Sequence, residues 1–313
     1  MKRWQNRVAE SRRTLPIAII IGTGVWLLGG LIQQQWWIQF ACFILSAAVM
    51  TEMDNNNAFI RIYSRMVPTS FIVLTCAACF LFPSTLGAIY QLCFITSLYT
   101  LFRCYQDRTS MGWTFYTFRL VGLGSMAKVQ ALYLIPLYWL LMAVTVYSLS
   151  WRTFTASLLG LICPYWFASA WILFAHEGDF TPLLEHLAEL GHYQLPADYA
   201  SLSLPLILTF ALITILTLTG IIHYIRTSFR DKIRTRQLYY SMMMLYGYAS
   251  LLLVFQPQHD DVMLRTMIIA GSPLIGHFLA LTSTRWTNIA LYVIIAASFI
   301  LTAFNLWMSS LGS

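Results

Sequence analysis

The chain has 313 residues, of which 58% are hydrophobic and 10% charged, with a mean hydropathy of +0.67. Soluble domains carry about 25% charged residues, so this composition excludes a water-soluble fold and leaves room for one integral membrane domain over residues 1–313. The net charge of +7 sits in short loops between apolar runs, which excludes nucleic acid as the partner and makes membrane lipids the first one.

A bilayer core of roughly 30 Å needs about 20 apolar helical residues per crossing, and basic loops stay on the cytoplasmic side. Lys2, Arg3, Arg7, Arg12 and Arg13 therefore stay inside, ahead of a first span at 15–32 that reads as uncleaved. A second span at 36–50 returns to a loop with Glu52, Asp54, Arg61 and Arg65, and a hairpin of spans at 67–82 and 86–102 turns at Pro83. Arg103, Asp107 and Arg108 mark the next inner loop. The stretch 114–127 must then cross outward although it is short and contains Arg119; a re-entrant course there would lower the count to ten or nine.

Spans at 129–149 and 154–174 follow, separated by Arg152. The loop at 175–203 holds Glu177, Asp179, Glu185, Glu189 and Asp198 with no Lys or Arg, which assigns it to the periplasm. A span at 204–225 leads to the most basic loop, with Arg226, Arg230, Lys232, Arg234 and Arg236. Spans at 238–255, 264–281 and 286–307 complete an all-α polytopic bundle of eleven crossings, N-terminus cytoplasmic and C-terminus periplasmic. This threading leaves Lys128 and Arg265 alone among the basic residues at the outer edge, where long stems reach the interface.

Candidate chemistry is sparse. Cys76 and Cys79 have CxxC spacing inside an apolar helix without a nearby His, which reads as small-residue packing, and no metal or other cofactor is expected. In the outer loop, 182–190 has helical spacing and reads as a short helix resting at the interface. His176, Glu177, Asp179, Glu185 and His186, together with His259, Asp260 and Asp261 of the next outer loop, are the candidates for acid–base work; their spacing matches no established zinc motif. Arg265, four residues after Asp261, and His277, close to Pro273 in mid-span, are the candidates for substrate binding. Arg119 and His223 are the other ionisable groups within spans, and Asn55, Asn56, Asn57, Arg61 and Arg65 could meet lipid headgroups or a partner protein.

Two stretches carry a family resemblance: 118–136 with its continuation to Pro164, and 234–280 with its continuation through Arg285 and Trp286. They resemble an uncharacterised multi-pass inner-membrane family of Bacteroidota, a domain of unknown function of about this length. The resemblance implies a bacterial inner-membrane location and no particular activity. The general layout is also similar to polytopic glycosyltransferases that use lipid-linked sugars, but many of those keep an acidic residue in the first outer loop, where this chain has Gln33, Gln34 and Gln35. Two functional classes follow, an envelope enzyme or translocator acting on a lipid-linked substrate, and a non-catalytic subunit of an inner-membrane complex. A small-solute transporter ranks below both because paired acids within spans are missing.

Overall fold

Backbone polar groups that lie away from water must be satisfied within the chain, and a helix does this inside a single segment. The computed structural model describes residues 4–175, 179–191, 199, 202–282 and 284–311, and among these it contains α-helices, short 3-10 turns and no strand. The helices are α1 (Trp4–Glu10), α2 (Thr14–Leu28), α3 (Trp37–Asn57), α4 (Met66–Ala77), α5 (Thr85–Arg103), α6 (Met111–Ala127), α7 (Ile135–Val144), α8 (Trp151–Ala175), α9 (Thr181–Ala188), α10 (Leu204–Thr227), α11 (Ile233–Phe255), α12 (Asp260–Leu281) and α13 (Arg285–Leu311). Local chemistry sets several of these bounds. Ser84 and Ser203 accept from Gly87 N and Leu206 N at the starts of α5 and α10, while Ala58 ends α3 in the left-handed region at φ 47°.

Each apolar stretch threaded as a crossing lies on helical structure, but among the described residues six helical segments are long and apolar enough to span a bilayer: those of α5, α8, α10, α11, α12 and α13. The other five expected crossings fall short for physical reasons. α2 has 15 residues and α4 has 12, and at 1.5 Å per residue both rise well under 30 Å. The segment at 129–149 divides into a 3-10 stretch, Val129–Leu134, and the 10-residue α7. α3 is 21 residues long but ends in a polar run from Thr51 to Asn57, and α6 has 17 residues with Arg119 exposed.

α12 is the axis of the bundle. Of its apolar window 94% is buried, against 17% for α8, whose Trp166, Phe167, Trp171 and Phe174 face outward. α4, α5, α10 and α11 surround α12. Close approach to α12 depends on missing side chains: a Cβ at Gly220 would lie 2.7 Å from Leu274 O, and one at Gly276 would lie 2.9 Å from Val67 N. α6 and α8 pair in the same way, Gly122 against Leu161 O and Gly160 against the α6 backbone. The short α6 is thus fixed by backbone contact along α8 rather than by length.

Candidate functional site

α12 carries a buried charged network at each end. Asp260 and Asp261 open its first turn, where unpaired N–H groups and the helix dipole favour negative charge. One turn later Arg265, 5% exposed, donates Nε to Asp261 Oδ1 at 2.6 Å, NH1 to Gln91 Oε1 at 2.8 Å and NH2 to Leu81 O at 2.6 Å. Asp261 Oδ2 accepts from Ser84 Oγ at 2.7 Å and lies 3.2 Å from Lys128 Nζ. The carboxylate rests on Gly87, where a Cβ would be 2.6 Å from Oδ1. Next to it Tyr90 and Thr266 share a hydroxyl hydrogen bond of 2.6 Å. Arg265 is therefore a paired side chain that joins α12 to α5 and to the turn after α4. Lys128, threaded as a lone basic residue at the membrane edge, is the second cation on Asp261.

The opposite end differs in kind. His277, with its side chain fully buried, donates Nε2–H to Asp231 Oδ2 at 3.2 Å, and the Asp231 side chain is itself only 2% exposed. Because a carboxylate only accepts, this bond places the ring proton on Nε2 and leaves a lone pair on Nδ1. Arg61 NH1 stands 3.8 Å from Asp231 Oδ1 with its side chain 32% exposed. The rings of Tyr224 and Tyr239 meet His277 edge-on at 4.9 and 5.2 Å between centroids, and His223 is at 5.5 Å. His277 Nδ1, His223 Nε2 and Tyr224 Oη are buried with no hydrogen-bond partner among the described residues. The α3–α4 and α10–α11 loops meet over this cluster, and Arg234 of α11 donates to Asn57 Oδ1 at 3.0 Å at the end of α3.

The expected site residues distribute as follows. His176 and Glu177 lie outside the described residues. Asp179 Oδ1 accepts from Thr181 N at 3.0 Å at the start of α9, the helix that stands where 182–190 was read as one. Glu185 is exposed, and His186 Nε2 lies 2.8 Å from Ser125 O, fastening α9 to the end of α6. His259 packs at 5.8 Å against Tyr133, whose hydroxyl reaches Leu190 O at 2.8 Å, so α9 and the start of α12 share one end of the bundle. Asp260 Oδ1 accepts from Asp261 N at 2.7 Å. Arg265 and His277, grouped as binding candidates, do not converge: a separation of twelve positions puts them about 18 Å apart along α12. Among the described residues no group of three or more His, Cys, Asp or Glu is arranged to hold a metal, and Cys76 and Cys79 are buried free thiols. Asp231 and Tyr224 belong to the second network and were not singled out by sequence reasoning; the one available signal was an isolated acid in the most basic loop.

A lateral groove of 690 Å³ runs between α2, α4 and α13, with Ile275 and Leu279 of α12 as its floor. α13 is held at both ends and stands away in the middle. At one end Gln5 of α1 donates Nε2 to Leu279 O at 2.8 Å and to Thr282 Oγ1 at 2.6 Å, and its backbone N–H donates to Asn288 Oδ1 at 3.1 Å. At the other, Asn305 donates Nδ2 to Ala77 O at 2.6 Å and to Thr209 Oγ1 at 3.1 Å. Between these fastenings the walls are largely aliphatic, interrupted by the buried hydroxyls of Thr69, Ser70 and Ser298, which have no hydrogen-bond partner among the described residues. Arg7 lines the α1 end, beside Trp4, which stacks on Tyr292 at 4.6 Å. No family model, no curated protein and no solved structure matches the chain.

Proposed function

We propose that this chain is a bacterial inner-membrane protein of the cell envelope that takes a lipid-linked substrate into the lateral groove. The observation that carries this reading is the groove itself: 690 Å³ of largely aliphatic wall among apolar helices, within the roughly 300–1,000 Å³ range of ligand sites, with the Arg7 guanidinium at one end. Aliphatic walls suit an acyl or isoprenoid chain. Arg7, whose planar fork matches a phosphate or carboxylate, suits an anionic head, and Trp4 stacked on Tyr292 has the amphipathic character of an interfacial aromatic. The orientation that fits has α1 and the loops of Arg61 and Arg226–Arg236 in the cytoplasm and 175–203 in the periplasm. The shorter helices then complete eleven crossings by packing against longer neighbours.

Lipid retained through purification in mild detergent and read by native mass spectrometry tests the proposal. Wild-type protein is expected to carry an anionic lipid, Ser298→Trp to lose it by filling the groove, and Arg7→Glu to lose the preference for anionic heads. Lipid-free wild-type protein, or equal retention by the Trp variant, overturns the reading. A stoichiometric protein seated on α13 would instead make the chain a subunit of a membrane complex, and solute flux in vesicles without lipid retention would make it a transporter.

A further inference from the structure

The cluster around His277 lies apart from the groove. Ile275 and Leu279 line the groove, whereas His277, two residues from each, faces α10 and α11. We propose that Asp231 and His277 form a proton-binding pair that exchanges with the aqueous phase at the basic end of the bundle.

Three observations converge on this site. First, the polar groups exceed what packing needs. Three buried polar atoms, His277 Nδ1, His223 Nε2 and Tyr224 Oη, are unpartnered at one place, and each such atom costs about 1–3 kcal/mol where nothing bonds it. A purely structural role would be met by one hydrogen bond and apolar surroundings. Second, the dyad is arranged to accept a proton. Asp231 holds the imidazole through Nε2, so the lone pair on Nδ1 is the free acceptor and the carboxylate already lies where it stabilises an imidazolium. Third, the pair lies next to the aqueous end: Arg61, its side chain one-third exposed, stands 3.8 Å from Asp231 Oδ1 and links the carboxylate to the loop surface.

The balance is simple. A proton from water at the loop surface binds His277 Nδ1, and the pair passes from one net negative charge to neutral, with no other bond made or broken. His223 is a second imidazole close enough that like charge disfavours protonation of both rings together, which makes the two alternative positions for one proton. The groups that face the dyad are Asp231 from the α10–α11 turn, His223 and Tyr224 from α10, Tyr239 from α11 and Arg61 from the α3–α4 loop, with Asp54 beyond Tyr239.

The test uses the full chain with ring-¹⁵N histidine in vesicles, the His277 signals being identified by their loss in His277→Gln. As the pH is lowered stepwise, the wild-type His277 ring is expected to pass from neutral to protonated. The change should follow the pH on the side of the Arg226–Arg236 loop. Asp231→Asn keeps a hydrogen-bonding side chain and removes the charge, and its His277 should require at least tenfold more acid. A ring that stays neutral throughout, or an unchanged midpoint in Asp231→Asn, reduces the contact to a structural hydrogen bond. Where Asp231→Asn does not fold, the wild-type titration and its sidedness decide alone, since response only from the opposite side also overturns the proposal.

Discussion

The two ends of α12 bury similar residues and treat them differently. At the Asp260 end the Arg265–Asp261 pair is saturated: Arg265 has three acceptors and both oxygens of Asp261 are engaged, with His259 Nε2 nearby left without a hydrogen-bond partner among the described residues. At the Leu281 end the Asp231–His277 bond stands among three orphaned polar atoms. The first arrangement offsets the large desolvation cost of buried charge through geometry and fixes the relative positions of α4, α5 and α12. The second leaves part of that cost standing, as groups that act on a proton or a ligand commonly do. Burial of an ionisable residue in a bundle thus does not by itself mark a site; the saturation of its partners separates a staple from a working group.

The sharpest way to break this contrast is to remove one partner of the saturated network. Asp261→Ala leaves the Arg265 charge buried with two neutral acceptors, and the loss should be about 3–5 kcal/mol, read as a large fall in thermal stability in detergent or in accumulated protein. Gly87→Ala should move in the same direction through displacement of the Asp261 carboxylate. If Asp261→Ala unfolds no more readily than wild type, the network is not the staple described.

A pH series extends the comparison at the basic end, where burial pushes the Asp54 carboxyl up to about 7, the nearby Arg65 offsetting only part of the shift. The folded state then holds a proton on Asp54 that the unfolded state releases near its ordinary value of 3.8. The resulting stability is fully present below pH 3.8 and is lost as pH rises through about 7, and Asp54→Asn should flatten this part of the profile. A profile that rises over that window, or one unchanged in Asp54→Asn, would contradict the buried setting of this carboxyl.

The smallest effect comes from a matched pair of hydroxyl deletions. Tyr90→Phe breaks the 2.6 Å bond to Thr266 and should cost about 1 kcal/mol, whereas Tyr224→Phe removes an unpartnered hydroxyl and should be neutral or stabilising by about 1 kcal/mol. Equal losses in chemical or thermal unfolding would show that the Tyr224 hydroxyl is bonded after all.

Much of the helical layout was legible in the sequence, because apolar stretches of membrane length have few alternatives to helix. The Asp261–Arg265 pair was legible too, since a spacing of four puts both on one helical face. Its completion was not: Ser84, Gln91 and Lys128 are separated from Asp261 or Arg265 by more than 130 positions in the chain, and only the packing of α5 and the α6 end on α12 brings them in. Asp231 was passed over because a single acid among Arg226, Arg230, Lys232, Arg234 and Arg236 reads as a solvated loop residue. The fold turns it inward onto His277, and no local pattern encodes that.

The sequence by itself determined that the chain is helical with apolar segments suited to a membrane, where most of those segments lie and which loops are basic, because hydrophobic length and charge are local properties that a bilayer reads directly. The tertiary structure alone decided which ionisable groups are paired and which are left open. It also decided that short α2 and α4 flank a lateral groove, and that Arg265 and His277 serve opposite ends of one helix. Those outcomes depend on which faces of distant segments meet, and pairing across the bundle is set by packing geometry rather than by the composition of any one segment.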